Sequence, residues 1–301
     1  MSSKVCMLGR MKRPLHSRVI GRLKERSDER APRLSIPATS DEVTEPPIFV
    51  IGAQRSGTSL LRRILDSHSR ITCPPESKFI LPLAKILNDG RSLAGWDSMG
   101  FGRAEVDAAM AKFVRSFFDT YARAQGKARW AEKTPNYVDC LPELWDMFGP
   151  NVQFVFIRRH GLDVAFSLAD PHRHYPAIDE FMDEATGNAP VAAGLFWADK
   201  NAKIEAFRAA HPEVSYVIRY EELTTAPEDA LKPLFDFLGE PWEPAVIDYD
   251  QFPHHGGYGD PDVKRRKTVE PNSGKYRSWP EETQRAVREA CGPLLGTLGY
   301  E

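Results

Sequence analysis

The 301-residue sequence is poor in cysteine, with only Cys6, Cys73, Cys140 and Cys291. No two of them form a C-x-x-C pair. That spacing excludes a zinc ribbon and a dense disulfide framework, and fits thiols kept in a reducing compartment. Long apolar runs are also missing. No stretch approaches the roughly 18–20 apolar residues that cross a bilayer, and the N-terminus lacks the apolar centre of a secretory signal. These absences predict a soluble, cytoplasmic protein. Net charge is small as well: 40 lysines and arginines oppose 42 aspartates and glutamates, a formal −2. The chain as a whole offers no basic field for nucleic acid, so any anion site must come from local clustering.

Clustering appears first at the N-terminus. Between Lys4 and Arg33 ten basic residues are opposed only by Glu25, Asp28 and Glu29, and a polar, acidic stretch then leads to Pro46-Pro47. This predicts a solvated basic arm over residues 1–46 ahead of one domain over 47–301. From Ile48 onward, short apolar runs alternate with amphipathic ones. Ile48–Ile51, Val152–Ile157 and Val214–Ile218 read as buried strands. Leu60, Leu61, Ile64 and Leu65 recur at helical spacing, as do Leu231, Leu234, Phe235 and Leu238, and Leu162–Leu168 reads as a further helix. The alternation predicts an α/β fold: a P-loop-like, three-layer arrangement with a central parallel sheet flanked by helices. In such sheets ligands sit at the carboxyl ends of the strands.

The first strand runs straight into Gly52-Ala53-Gln54-Arg55-Ser56-Gly57-Thr58-Ser59. Its frame, G-x-x-x-x-G-x-[ST], is that of a phosphate-binding loop. Glycines allow the tight turn, and amide groups at a helix start attract an anion. Thr58 stands where a nucleotide hydrolase has its lysine, and the loop's cation is Arg55. Without that lysine, a donor carrying less charge at its transferred end fits better than a nucleoside triphosphate with magnesium.

Gln54-Arg55-Ser56-Gly57-Thr58-Ser59-Leu60-Leu61 resembles the 5′-phosphosulfate loop of sulfotransferases that use 3′-phosphoadenosine 5′-phosphosulfate (PAPS). It is closest to the arginine-bearing branch of tyrosylprotein and bacterial enzymes; cytosolic sulfotransferases have lysine at the Arg55 position. A second match follows the strand ending at Ile157. Arg159 and Ser167 have the spacing of the family's 3′-phosphate motif. A guanidinium offers phosphate a bidentate fork, and a hydroxyl two helical turns on can add a donor. Arg158 is the poorer ligand, because strand alternation sends neighbours to opposite faces. Asp163 is expected to brace this region rather than to react.

The resemblance covers about residues 47–280 and implies in-line sulfuryl transfer to an acceptor hydroxyl, giving PAP and a sulfate ester with no metal. It implies cofactor contacts from Arg55, Ser56, Gly57, Thr58, Ser59, Arg159 and Ser167. Glu76, in Cys73-Pro74-Pro75-Glu76-Ser77-Lys78, takes the place of the family's general base, although Pro75 replaces a second acid. Lys133, in Glu132-Lys133-Thr134-Pro135, matches a lysine that approaches the sulfuryl end; with Arg55 it is the expected electrostatic stabiliser. Tyr220 follows an R-Y-E-[DE]-L pattern and is expected near the adenine. Lys275 and Arg277 are candidates in a late basic loop, alongside the run Lys264–Lys267. His68, His160, His254 and His255 are rival bases; His172 with His174, and His254 with His255, read as loop residues rather than metal ligands.

The acceptor is open: small molecule, carbohydrate or peptidyl tyrosine. Asp89–Gln125 and His172–Pro190 are expected to surround it. Two other functions fit the sequence less well. One is a P-loop kinase or nucleotide hydrolase using ATP and magnesium, opposed by Thr58 and by the lack of an obvious acidic strand end. The other is a nucleotide-binding regulator without turnover.

Overall fold

The computed structural model describes residues 35–36, 45–257 and 268–300. Nearly all of the basic arm, and the run Lys264–Lys267, lie outside these residues. In chain order the main elements are β1 (Ile48–Ile51), α1 (Thr58–Asp66), β2 (Ile71–Thr72), α2 (Ile80–Leu87), α3 (Gly90–Ser98), α4 (Arg103–Ala124) and β3 (Arg129–Glu132). They continue with α5 (Leu141–Phe148), β4 (Gln153–Arg158), α6 (Gly161–Leu168), α7 (Ala189–Ala210), β5 (Ser215–Arg219), α8 (Tyr220–Thr225), α9 (Pro227–Leu238) and α10 (Glu281–Cys291).

The strands form one parallel sheet in the order β2-β3-β1-β4-β5. All four residues of β1 are buried, because helices cover both faces of the sheet. The pleat sorts them. Phe49 and Ile51 join Trp130, Phe154 and Phe156 on one face, against α4 and α5. Phe118 of α4 stacks on Trp130 with ring centroids 4.6 Å apart. Ile48 and Val50 join Val155 and Ile157 on the other face, against α1 and α9. This double burial is why the strands read as continuous apolar runs.

The strands expected at 152–157 and 214–218 occur one residue later at each end. β3 has a charged residue at either end and shows little apolar pattern, yet it is wholly buried. Arg129 is accommodated there by the carbonyls of Pro46 and Leu238, at 2.5 and 2.7 Å, and by Glu240 at 3.5 Å.

From β1 the chain goes out to β2, returns through β3, then crosses β1 to reach β4. Connections thus diverge on the two sides of β1, leaving a crevice at its carboxyl end. Among the described residues no helix is long and apolar enough to cross a membrane.

Candidate active site

The loop after β1 is shaped by two glycines. A Cβ at Gly52 would lie 2.5 Å from the Ile157 carbonyl oxygen of β4, so only glycine lets β1 end this close to its neighbour. Gly57 has φ of 102°, and a Cβ there would also strike the Tyr220 ring at 2.4 Å. Arg55 itself takes a positive φ of 71°, a conformation uncommon outside glycine and concentrated at functional turns. The Ser56 amide closes the turn on the Ala53 carbonyl at 3.1 Å. α1 then begins at Thr58, and its first amides have no partner within the helix.

This loop forms one wall of a cavity of about 950 Å³. Residues just past four strand ends meet there: Arg55 after β1, Thr134 after β3, Arg159 after β4 and Tyr220 after β5. Gly57, Thr58, Ser59 and Glu76 line it too.

Arg158 and Arg159 diverge as the pleat requires. Arg158 pairs with Glu205 of α7. Arg159, 6% exposed, faces the cavity. One of its terminal nitrogens donates to the Arg55 carbonyl at 3.0 Å and the other to the Asn272 carbonyl. Its guanidinium lies 4.5 Å from the centre of the Tyr220 ring. Its Nε is buried with no hydrogen-bond partner among the described residues, and burial pulls its pKa below the usual arginine range. An anion brought to this side chain would satisfy the buried donor.

Glu76 and Lys133, 57 residues apart in sequence, meet directly. Lys133 Nζ donates to Glu76 Oε1 at 2.6 Å and to Ser59 Oγ at 3.3 Å. Lys78 Nζ is 3.6 Å from Glu76 Oε2. The Lys133 side chain is wholly buried; burial lowers its pKa, opposed by the charge of Glu76. A carboxylate at the cavity wall, held against a buried ammonium, can take a proton while the cation stabilises developing negative charge nearby.

Several expected residues sit elsewhere. The Ser167 hydroxyl was expected to share an anion with Arg159; instead it accepts a bond from Arg55 Nε at 2.8 Å, because α6 packs alongside the glycine loop. Neither Ser167 nor the buried Ser56 lines the cavity. Lys275 and Arg277 are exposed and also lie off the cavity wall. Their segment is tied down by Asp163, whose carboxylate accepts the amides of Gly274 and Lys275 at 2.9 and 3.1 Å, and Arg277 folds over Tyr276.

His68, His160, His254 and His255 lie off the cavity wall; His174 lines it. His68 meets the Pro241 carbonyl, and His254 is held between Asp66 and the Tyr249 carbonyl. Among the described residues no three His, Cys, Asp or Glu side chains are grouped to hold a metal. Of the two stretches expected around an acceptor, Arg173–Ala177 and Glu180 do line the cavity, whereas nothing between Asp89 and Gln125 does. Leu81, Tyr137 and Asp139 take that place.

Residues 46–244 match the family model described as the sulfotransferase family. The chain belongs to that family. Similar proteins include nodulation protein NoeE of Sinorhizobium fredii, 27% identical over 84% of this chain and 65% of that protein. Protein-tyrosine sulfotransferase 1 of Danio rerio is 26% identical over 85% of this chain and 72% of that protein. An uncharacterized Aquifex aeolicus protein is 27% identical over 79% of this chain, which spans only 30% of it. The chain therefore spans less than two thirds of the length of some of these relatives. Among solved structures, the sulfotransferase domain from the curacin biosynthetic pathway aligns with a TM-score of 0.58 and 24% identity, over 85% of this chain and 98% of that one. The sulfotransferase domain of the Synechococcus olefin synthase aligns with a TM-score of 0.53 and 21% identity, over 90% and 99%. These two share the fold.

One acid at the site escaped the sequence reading. Glu132 ends β3 beside Lys133, the acidic strand end thought to be missing. It does not line the cavity: it is 1% exposed, and its Oε1 bonds Ser77 and Thr134. Burial pushes its pKa up to about 7, against the pull of those hydrogen bonds. The signal was present in the dipeptide Glu132-Lys133, but its burial depends on β3 being interior.

Proposed function

We propose that this chain is an enzyme that transfers a sulfuryl group from PAPS to an acceptor hydroxyl, releasing PAP and a sulfate ester. The observation that carries the reading is the meeting of Arg55, Arg159 and Glu76 at one cavity, with Lys133 2.6 Å from Glu76. The residues present fit a nucleotide bearing anionic groups at two places: a glycine turn with Arg55 at one, and at the other the buried Nε of Arg159, which has no partner among the described residues. PAPS supplies the sulfuryl group when bound. Arg55, Thr58, Ser59 and the amides at the start of α1 would hold its 5′ end. Arg159, whose guanidinium lies over the Tyr220 ring, would hold the 3′-phosphate, and Tyr220 would serve the adenine end.

Glu76 accepts the proton of the acceptor hydroxyl as the new S–O bond forms and the bond to the departing phosphate breaks. Lys133 orients Glu76 and, with Arg55, offsets the negative charge at the transferring group. Ser167 acts through Arg55 by fixing its Nε. Lys275 and Arg277 keep a role only through the segment that Asp163 anchors against Arg159. Positioning and charge stabilisation supply most of the rate. The activity belongs to the domain over residues 47–301, and its setting is cytoplasmic.

The test is transfer of label from sulfur-labelled PAPS, without added metal, to phenols, carbohydrates and tyrosine peptides. Labelled ester in one class, with one PAP released per ester, is the expected result. Absence of label in all three, from a folded protein that also fails to bind PAP, contradicts the reading.

A further inference from the structure

The carboxylate of Glu76 lies in a segment, Cys73–Phe79, with no helix or strand of its own. Pro74 and Pro75 lack amide donors, so this stretch cannot be secured by hydrogen bonds from those two positions. Side chains from two neighbouring elements hold it instead. On one side stands Arg62 of α1, 7% exposed, whose Nε donates to the carbonyls of Cys73 and Pro74 at 2.9 and 2.8 Å. On the other stands Glu132 of β3, 1% exposed. Its Oε1 accepts from the Ser77 amide at 3.3 Å, the Ser77 hydroxyl at 2.9 Å and the Thr134 hydroxyl at 2.7 Å. The Ser77 hydroxyl also meets the Tyr137 hydroxyl at 2.8 Å, and that oxygen accepts the Ile80 amide at 3.1 Å, which secures the start of α2.

We propose that Arg62 and Glu132 are positioning residues that grip the backbone on either side of Glu76 and so hold its carboxylate against Lys133. The inference rests on the sulfuryl-transfer reading. Three features support it. Each grip falls within three residues of Glu76, one before it and one after. Glu132 bonds residues on both sides of the gap, Ser77 beside Glu76 and Thr134 beside Lys133, so a single buried oxygen sets the spacing of the pair. Neither side chain lines the cavity, so their cost of burial is unexplained by ligand contact. A buried charged or polar group persists where its hydrogen bonds define one geometry.

The test compares wild type with Arg62→Met, Glu132→Ala, Glu132→Gln and Ser77→Ala in the full chain. Three quantities are measured: PAP affinity by calorimetry, amide exchange at Ser77, and turnover of labelled PAPS. The expected result for Glu132→Ala is faster Ser77 exchange and a fall of about a hundredfold in kcat, the scale of an ångström of misplacement. PAP affinity should stay near wild type. Glu132→Gln, which keeps the accepting oxygen, should restore both exchange and turnover. Arg62→Met should behave like Glu132→Ala. Should either of these fail to fold, Ser77→Ala removes one of the three donors to Glu132 and should show a smaller fall in kcat alone.

Unchanged Ser77 exchange and kcat in folded variants would overturn the proposal. So would PAP affinity falling in step with kcat, which marks general damage. A wild-type protein that neither binds PAP nor turns over PAPS defeats the functional reading itself, an outcome distinct from both.

Discussion

A lysine at position 159 would keep the charge and lose the fork. Arg159 spends its two terminal nitrogens on the carbonyls of Arg55 and Asn272 and leaves Nε buried without a partner among the described residues. Lysine has neither the reach to bridge these carbonyls nor the planar donor set. Arg159→Lys is therefore expected to weaken PAP binding by about 1.5–3 kcal/mol, the worth of one charged hydrogen bond, which is tenfold or more in Kd. Calorimetry with PAP measures it, and an unchanged Kd would remove Arg159 from the site. At this scale the sequence was informative about identity and silent about pairing. Arg55, Glu76, Lys133 and Arg159 were each marked by a motif. That Lys133 touches Glu76, or that Ser167 serves Arg55, depends on how distant elements pack. An eight-residue interval from Arg159 could not show which arginine the α6 serine would meet.

β3 shows what an element adds to its residues. Its sequence, Arg-Trp-Ala-Glu, carries a charge at each end, yet the strand is interior and both charges are buried. For Glu132 the consequence is a pKa raised from 4.5 to about 7 by burial. The folded state then holds a proton that the unfolded chain releases near pH 4.5. The corresponding stability is fully present below that pH and is lost as pH rises through about 7. Thermal unfolding followed from pH 4.5 to 8 should show this decline, and Glu132→Gln, which cannot ionise, should flatten it. A decline of equal size in the variant would place the titration elsewhere. The apolar runs made β1, β4 and β5 legible to within a residue. β2, with two residues, and β3, with its charged ends, carry too little pattern to stand out, because interior position rather than composition makes them strands.

Across the whole molecule, function follows from strand order. Placing β1 between β3 and β4 brings the loops after three strands to one crevice, and β5 adds Tyr220. The α/β alternation in the sequence was enough to expect a parallel sheet with its ligand at the carboxyl edge. It could not show which helices wall the far side of the cavity: Arg173–Ala177, within the expected His172–Pro190, does line it, but Leu81 and Tyr137 stand where Asp89–Gln125 was expected. The central claim is that this crevice selects a nucleotide with a 3′-phosphate and needs no metal to do so. Thermal unfolding with PAP, with ATP plus magnesium, and with neither tests it most directly. A ligand at a hundred times its Kd adds about 2.7 kcal/mol to the folded state, and each kcal/mol raises the midpoint of a domain this large by roughly 2 °C. The account predicts that rise with PAP alone and little change with ATP and magnesium; a rise only with ATP and magnesium would contradict it.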